Sequence, residues 1–300
     1  MMKIGKHTLG EWVAATRPWS FPASMMPVAV TLAYLFWAGY EVNWVYGVWA
    51  LLNIVVFHAA GNTWSDYFDY KHKVDAVDTF GAKALTGGLF LPAEFFRFAL
   101  GLLCVALAGG LVLTCLTGWE LLLIGAGGAV CTLLYPLLKY RSWGDVVILC
   151  SYALLPMLGT TFVASGILDV GLLWMSLPYG LITVSILHAN NMRDVLTDRR
   201  AGINTLAMRV GVNTSVGIYL AEVLLPYLML VVFAAIGWLP WAVLLVFLSL
   251  PMALKNCRLA LSVPKEGTEV IAGLDQFSAQ LQLFFSLLFI VSLVCSSLFF

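Results

Sequence analysis

Nine apolar stretches, each close to twenty residues long and holding at most two charged side chains, recur along the 300-residue sequence. They lie near 16–38, 44–62, 92–115, 119–138, 144–166, 170–190, 214–236, 239–262 and 278–299. A helix rises about 1.5 Å per residue, so about 20 residues cross the roughly 30 Å hydrocarbon core of a bilayer. Backbone amides in that core have no water to bond, which leaves helices as the structure for such runs. A water-soluble alternative is excluded by composition. The chain is 61% hydrophobic and 11% charged, where soluble domains carry about 25% charged residues. The expected fold is an all-α membrane protein, a nine-transmembrane-helix bundle enclosing a central cavity, with residues 1–300 as one domain.

Cytoplasmic connections collect Lys and Arg, and the charges support this span count. With the N-terminus inside, all 16 basic residues fall on one side, from Lys3, Lys6 and Arg17 through Lys71, Lys73, Lys83 and Arg97 to Lys255, Arg258 and Lys265. The opposite connections carry Glu41, Glu120 and Asp169 alone. The expected orientation is N-in and C-out. The first apolar stretch contains Pro18, Pro22 and Pro27 and no small-residue cleavage site, so it reads as a span rather than a cleaved signal. The six cysteines show no CxxC pair and read as small buried hydrophobes, with neither disulfides nor zinc indicated. Nucleic acid is not an expected partner; the lipid bilayer is.

Two inside loops are long, near 63–91 and 191–213, and a smaller one covers 263–277. The long ones form a polar cap and share a pattern. "GNTWSDYFDYKHKVD" begins at Gly61 and "NNMRDVLTDRRAG" at Asn190. Asn62-xxx-Asp66 and Asn190-xxx-Asp194 stand 128 residues apart, each preceded by a histidine, His58 or His188. Residues three or four apart share a helix face. If the spans continue inward, Asn62, Asp66 and Asp69 line one face, and Asn190 or Asn191, Asp194 and Asp198 another. Charged residues at helix ends commonly just face water. The repetition argues instead for two carboxylate faces turned on one cavity. Crowded carboxylates repel unless a cation sits among them, and oxygen-only donors suit Mg²⁺ with substrate phosphates and water. The bases Lys71, Lys73, Lys83, Arg193, Arg199 and Arg200 are placed to hold phosphate oxygens. Tyr135, at the inner end of the fourth span, reads equally as an interface anchor and as an aromatic face for a cation. Glu222 is an acid inside a span, a rarity that is often functional. Thr86-Gly87-Gly88 reads as a loop-to-helix turn.

Both acidic stretches resemble the Asp-rich motifs of the UbiA superfamily of intramembrane aromatic prenyltransferases. "NNMRDVLTDRRAGINTLAMRVG" is similar to the second motif of its menaquinone branch, the 1,4-dihydroxy-2-naphthoate polyprenyltransferases. "NTWSDYFDYKHKVD" resembles the first motif, with Asn62, Asp66, Tyr67 and Asp69 in register and Asp75 farther along. "TRPWSFPASMMPV" and "YPLLKYRSWGD" resemble the opening segment and the fourth-to-fifth connection, so the likeness runs from residue 16 to about 211. Ser65 and Ile203 depart from that branch where it commonly has Asn and Lys; neither change removes a carboxylate.

The resemblance implies Mg²⁺-assisted ionisation of an allylic polyprenyl diphosphate and attack on the carbocation by an electron-rich aromatic acceptor. It implies two Mg²⁺ ions, held by Asp66, Asp69, Asp194 and Asp198. Lys139 would assist catalysis, with Asn62, Asn190, Asn191, Arg193, Lys83, Tyr135 and Arg17 binding substrate. It also implies a bacterial inner membrane with the active-site mouth facing the cytoplasm. His58 and His188 read as hydrogen-bonded core groups, with orientation of a metal ligand or contact with the acceptor as the sharper alternative. Two other classes compete. A cation-coupled transporter would place acids at the bilayer midplane in broken helices, whereas these sit at span ends beside bases. A CDP-alcohol phosphatidyltransferase carries a single motif that this chain lacks.

Overall fold

The computed structural model describes residues 7–74, 83–169 and 171–299. Asp75, Lys3 and Lys6 lie outside them. Among the described residues nine helices are long and apolar enough to cross a membrane. They are the first span (Pro18–Trp37), second (Trp44–Lys71), third (Pro92–Thr117), fourth (Glu120–Lys139), fifth (Gly144–Ser165), sixth (Leu172–Arg193), seventh (Val212–Ala235), eighth (Trp241–Glu266) and ninth (Thr268–Leu298). The protein is an all-helical, multi-pass integral membrane protein. Its described residues hold no strand beyond one isolated bridge between Arg141 and Asn204.

The connections are more helical than their polarity predicts. The second span runs to Lys71, so Asp66 and Asp69 belong to a helix rather than to a loop beginning at 63. The 191–213 segment closes the sixth span at Arg193, forms two short helices, Val195–Arg200 and Leu206–Val210, and enters the seventh span at Val212. The ninth span starts at Thr268, immediately after Gly267, so the expected 263–277 loop is almost entirely helix. Hydropathy marks where a helix leaves the lipid, not where its hydrogen bonds stop. Five of the six cysteines are exposed or half-buried and only Cys257 is buried; all six are free. The expectation of buried cysteines fails because the outer surface faces lipid, which accepts a thiol as readily as a core does.

Helices in lipid associate through close packing and polar contacts, not by escape from water. Contacts among the fifth to ninth spans show both. A Cβ at Gly180 would run into Leu149 and Ala153, so glycine lets the fifth and sixth spans touch. Tyr219 and Tyr227 share hydroxyl hydrogen bonds with Ser278 (2.7 Å) and Ser249 (2.6 Å) in the buried interior.

One irregularity places the site. Residues Cys150–Leu154 of the fifth span form a π-turn. Pro156 has no N–H for the carbonyl four residues back, and the Leu155 amide donates instead to the Cys150 carbonyl. Such turns re-aim side chains and are frequent at functional sites. Here Ser151 and Tyr152 point inward.

Candidate active site

Two adjoining cavities occupy the bundle. The first, about 160 Å³, is polar and lies where the second, fourth, fifth and sixth spans meet the segments that carry the two acidic motifs. Eight expected site residues line it: Arg17, Asn62, Asp69, Tyr135, Lys139, Asn190, Asp194 and Asp198. The second, about 370 Å³, is apolar and walled by the first five spans, with Ile54, Phe57, Gly125, Gly128 and Leu155 in its lining. Gly61, Thr132, Ser151 and Tyr152 border both. The arrangement is a polar chamber continuous with a greasy channel.

Each acidic motif is held differently. In the first, Asp69 accepts from the Tyr140 hydroxyl at 2.5 Å and from Ser65 at 3.4 Å, with Lys139 Nζ 3.4 Å away. Asp66 does not line the chamber. It is buried and ion-paired to Arg17, whose backbone is left-handed at φ 57°. A non-glycine residue there costs of order 1–3 kcal/mol and persists where its surroundings fix it. Those surroundings are on hand: the Asn62 amide donates to the Thr16 carbonyl (2.9 Å) and Ser20 hydroxyl (3.0 Å), and Ser20 donates to the Arg17 carbonyl (2.8 Å).

The second motif keeps a helical ladder through its bend. The Asp194 amide donates to Asn190 O at 3.0 Å and the Asp198 amide to Asp194 O at 2.8 Å, so Asn190, Asp194 and Asp198 reach the same chamber. Asn191 turns away and donates to Asp145 at 3.4 Å. Arg193 grips Asp194 through Nε (2.8 Å) and Nη2 (2.9 Å), and Asn190 (2.8 Å). Its other arm donates to Asp275 at 2.7 Å. Lys83 is exposed and is not among the chamber's lining residues. Asp198 is buried, and burial together with the neighbouring Asp194 and Asp69 carboxylates pushes its pKa up to about 7, against the pull of Lys139 and Arg193.

Three contributors carry no motif of their own. Tyr140 follows Lys139 in the same helical end and braces Asp69. Ser142 donates to Asn204 O at 2.6 Å and the Asn204 amide to Tyr140 O at 3.1 Å, so the connection after the fourth span is clasped to the segment after the second motif. Tyr152 enters through the π-turn. Tyr140 and Ser142 both lie in the quoted "YPLLKYRSWGD", but the partners that give them roles, and the entry of Tyr152, depend on long-range contacts. His58 is a hydrogen-bonded core group, 2.9 Å from Ser24 Oγ and 3.3 Å from Ser20 Oγ, with its ring edge on Tyr152.

The UbiA prenyltransferase family model matches residues 24–288. The chain is 34% identical over 237 residues to UbiA prenyltransferase domain-containing protein 1 of Xenopus tropicalis, covering 76% of this chain and 68% of that protein. The chain belongs to the UbiA prenyltransferase family. Against the Mus musculus protein of the same name, this UbiA chain is 31% identical over 297 residues, covering 96% and 85% of the two. Solved structures share the fold. A digeranylgeranylglyceryl phosphate synthase superposes with a TM-score of 0.65 at 16% identity, covering 96% of this chain and 99% of that one. An Archaeoglobus fulgidus UbiA homolog bound to GPP and Mg²⁺ gives 0.62 at 12%, covering 93% and 99%. These two sequence relatives are animal proteins named for the UbiA domain. They single out neither the naphthoate branch nor the bacterial membrane that the motifs alone imply.

Proposed function

We propose that this prenyltransferase transfers a polyprenyl group from an allylic diphosphate to an aromatic acceptor of the 1,4-dihydroxy-2-naphthoate type, as in menaquinone biosynthesis. The observation that carries this reading is the polar chamber opening into an apolar channel. A diphosphate head and an isoprenoid tail need opposite solvents within one molecule's length, and the shared wall at Gly61, Thr132, Ser151 and Tyr152 joins the two. The Asn190-Asn191-x-Arg193-Asp194 run supports the naphthoate class.

Asp69, Asp194 and Asp198 bring oxygen-only donors to one chamber, the donor set that Mg²⁺ prefers. Bound there, Mg²⁺ supplies Lewis-acid stabilisation of the departing diphosphate. Lys139 and Arg17, both on the chamber, stabilise the same developing charge. Asp66 serves the site by holding Arg17. Tyr135 and Tyr152 present aromatic faces where the tail's first carbon emerges and stabilise the allylic cation, and burial keeps water from it. The acidic motifs face the cytoplasm, with the N-terminus inside.

Purified protein in detergent, given Mg²⁺ and radiolabelled allylic diphosphate, should form a lipid product with 1,4-dihydroxy-2-naphthoate and none in EDTA. Product from 4-hydroxybenzoate instead would reassign the acceptor, and no product from either across several chain lengths would refute the reading. Tyr140→Phe removes the donor nearest Asp69. A hydrogen bond to a charged group contributes about 1.5–3 kcal/mol, so kcat/KM should fall at least about tenfold, with a higher Mg²⁺ requirement. An unchanged Mg²⁺ titration would show that Asp69 needs no brace.

Mg²⁺ binding should also depend on pH. Metal-free Asp198 keeps its proton up to about pH 7, and the ion takes only the carboxylate, so below that pH each ion must displace a proton. Calorimetry should find the Mg²⁺ Kd rising about fivefold from pH 7 to pH 6 and nearly level above pH 8. Asp198→Asn should remove this titration step.

A further inference from the structure

Behind the sixth span, bordering neither cavity, three buried ionisable side chains converge from three different spans. Asp145 starts the fifth span, His188 lies near the end of the sixth that carries the second motif, and Glu222 sits nearly three turns inside the seventh. One ligand atom from each lies within 4.8 Å of the other two, the only such group among the described residues. His188 is fully buried, and Asp145 and Glu222 are 7% and 5% exposed.

The imidazole's surroundings fix which nitrogen is free to bind. His188 Nε2 lies 3.0 Å from the Ser215 carbonyl and 2.8 Å from its hydroxyl. A carbonyl only accepts, so Nε2 carries the hydrogen. Nδ1 then faces Asp145 Oδ2 at 2.8 Å and Glu222 Oε1 at 3.7 Å. Three electron-rich atoms facing each other in a buried space need a positive charge among them. A proton on Nδ1 leaves one net negative charge buried, or leaves a protonated Glu222 whose Oε2 has no hydrogen-bond partner among the described residues. A divalent ion balances two carboxylates and a neutral imidazole, and gives Glu222 a function. The surroundings also match those of a metal-bound histidine, which donates its second N–H to a carbonyl while the ligating carboxylate is itself hydrogen-bonded. Here Ser215 and Asn191 fill those places.

We propose that Asp145, His188 and Glu222 bind a first-row divalent transition ion at a site separate from the two acidic motifs. One imidazole and two carboxylates favour an ion such as Zn²⁺ or Mn²⁺ over Mg²⁺, which selects oxygen. The ion ties the fifth, sixth and seventh spans together beneath the second motif. His188 lies two residues before Asn190, and Asn191 bonds Asp145, so the clamp positions the helix end that presents Asp194.

The test uses untagged full-length protein loaded with Zn²⁺ and desalted into excess Mg²⁺, with metal counted by mass spectrometry. Wild type and an Asp194→Asn/Asp198→Asn variant should both retain about one Zn²⁺ per chain, and Glu222→Gln or Asp145→Asn should retain little. X-ray absorption of the wild-type Zn²⁺ form, which needs no variant to fold, should show one imidazole and oxygen ligands at about 2.0–2.2 Å. Zn²⁺ retention no higher in wild type than in Glu222→Gln, or a spectrum without imidazole, would overturn the assignment.

Discussion

Asp198→Asn is expected to reduce prenyl transfer about a thousandfold, equivalent to about 4 kcal/mol of transition-state stabilisation, without destabilising the metal-free protein. The two halves of this result have one cause. Asp198 is buried with Asp194 and Asp69 nearby, and its pKa is raised from 3.8 to about 7. A carboxyl whose folded-state pKa lies above its unfolded value favours folding only while it is protonated. That contribution fades as pH rises from about 4 to 7, and above pH 7 the charge is carried at full cost. Asparagine removes the charge and keeps the shape. In EDTA at pH 8 the variant should therefore melt no lower than wild type, while Mg²⁺-dependent product formation collapses. Asp194→Ala should be equally inactive but less stable, because it strips Arg193 of two hydrogen bonds and leaves Asp275 as its carboxylate partner. Full activity in both variants would remove the metal assignment from the second motif.

The Asp198 contrast also shows what the sequence could disclose. Span count was legible because bilayer thickness fixes helix length and the basic residues sort to alternate connections. The pairing of the two motifs was legible because i, i+4 spacing dictates a shared face wherever a helix persists. Which of Asn190 and Asn191 enters the chamber was not, since adjacent residues differ by about 100° and the helix's rotation is set by its neighbours. Asp66 and Asp69 share a face in the pattern, yet Arg17 captures one of them; that needs a backbone turn forty-nine residues away in sequence. The Asp145–His188–Glu222 cluster joins three spans whose separate sequences show only a lone acid or histidine. Local patterns record what a helix presents, and tertiary packing decides what it meets.

Phenylalanine at Gly128 should convert the enzyme into one selective for short prenyl chains. Gly128 and Gly125 line the apolar channel, and a Cβ at either meets nothing within 4 Å, so the added ring enters open space rather than a neighbouring helix. A cavity of about 150 Å³ accommodates a benzene ring, so one benzyl group claims a large share of the channel's 370 Å³. Loss of apolar burial is not the main effect: a displaced tail returns to lipid, which is about as apolar as the channel. Lost positioning is, because the first carbon must sit at the chamber mouth while the tail runs along the fourth span. Thr132 marks that mouth. At 1.5 Å per residue Gly128 lies about 6 Å along the helix from it and Gly125 about 10 Å. Gly128→Phe should accordingly lower kcat/KM for a twenty-carbon diphosphate at least about tenfold, or about 1.4 kcal/mol, and change a ten-carbon substrate little. Gly125→Phe should move the break to longer chains. Competition between labelled ten- and twenty-carbon diphosphates in one tube measures the ratio directly and cancels any loss of folded enzyme. A ratio unchanged in both variants would mean that the tail leaves the chamber by another route, while a graded shift would identify this face of the fourth span as the ruler.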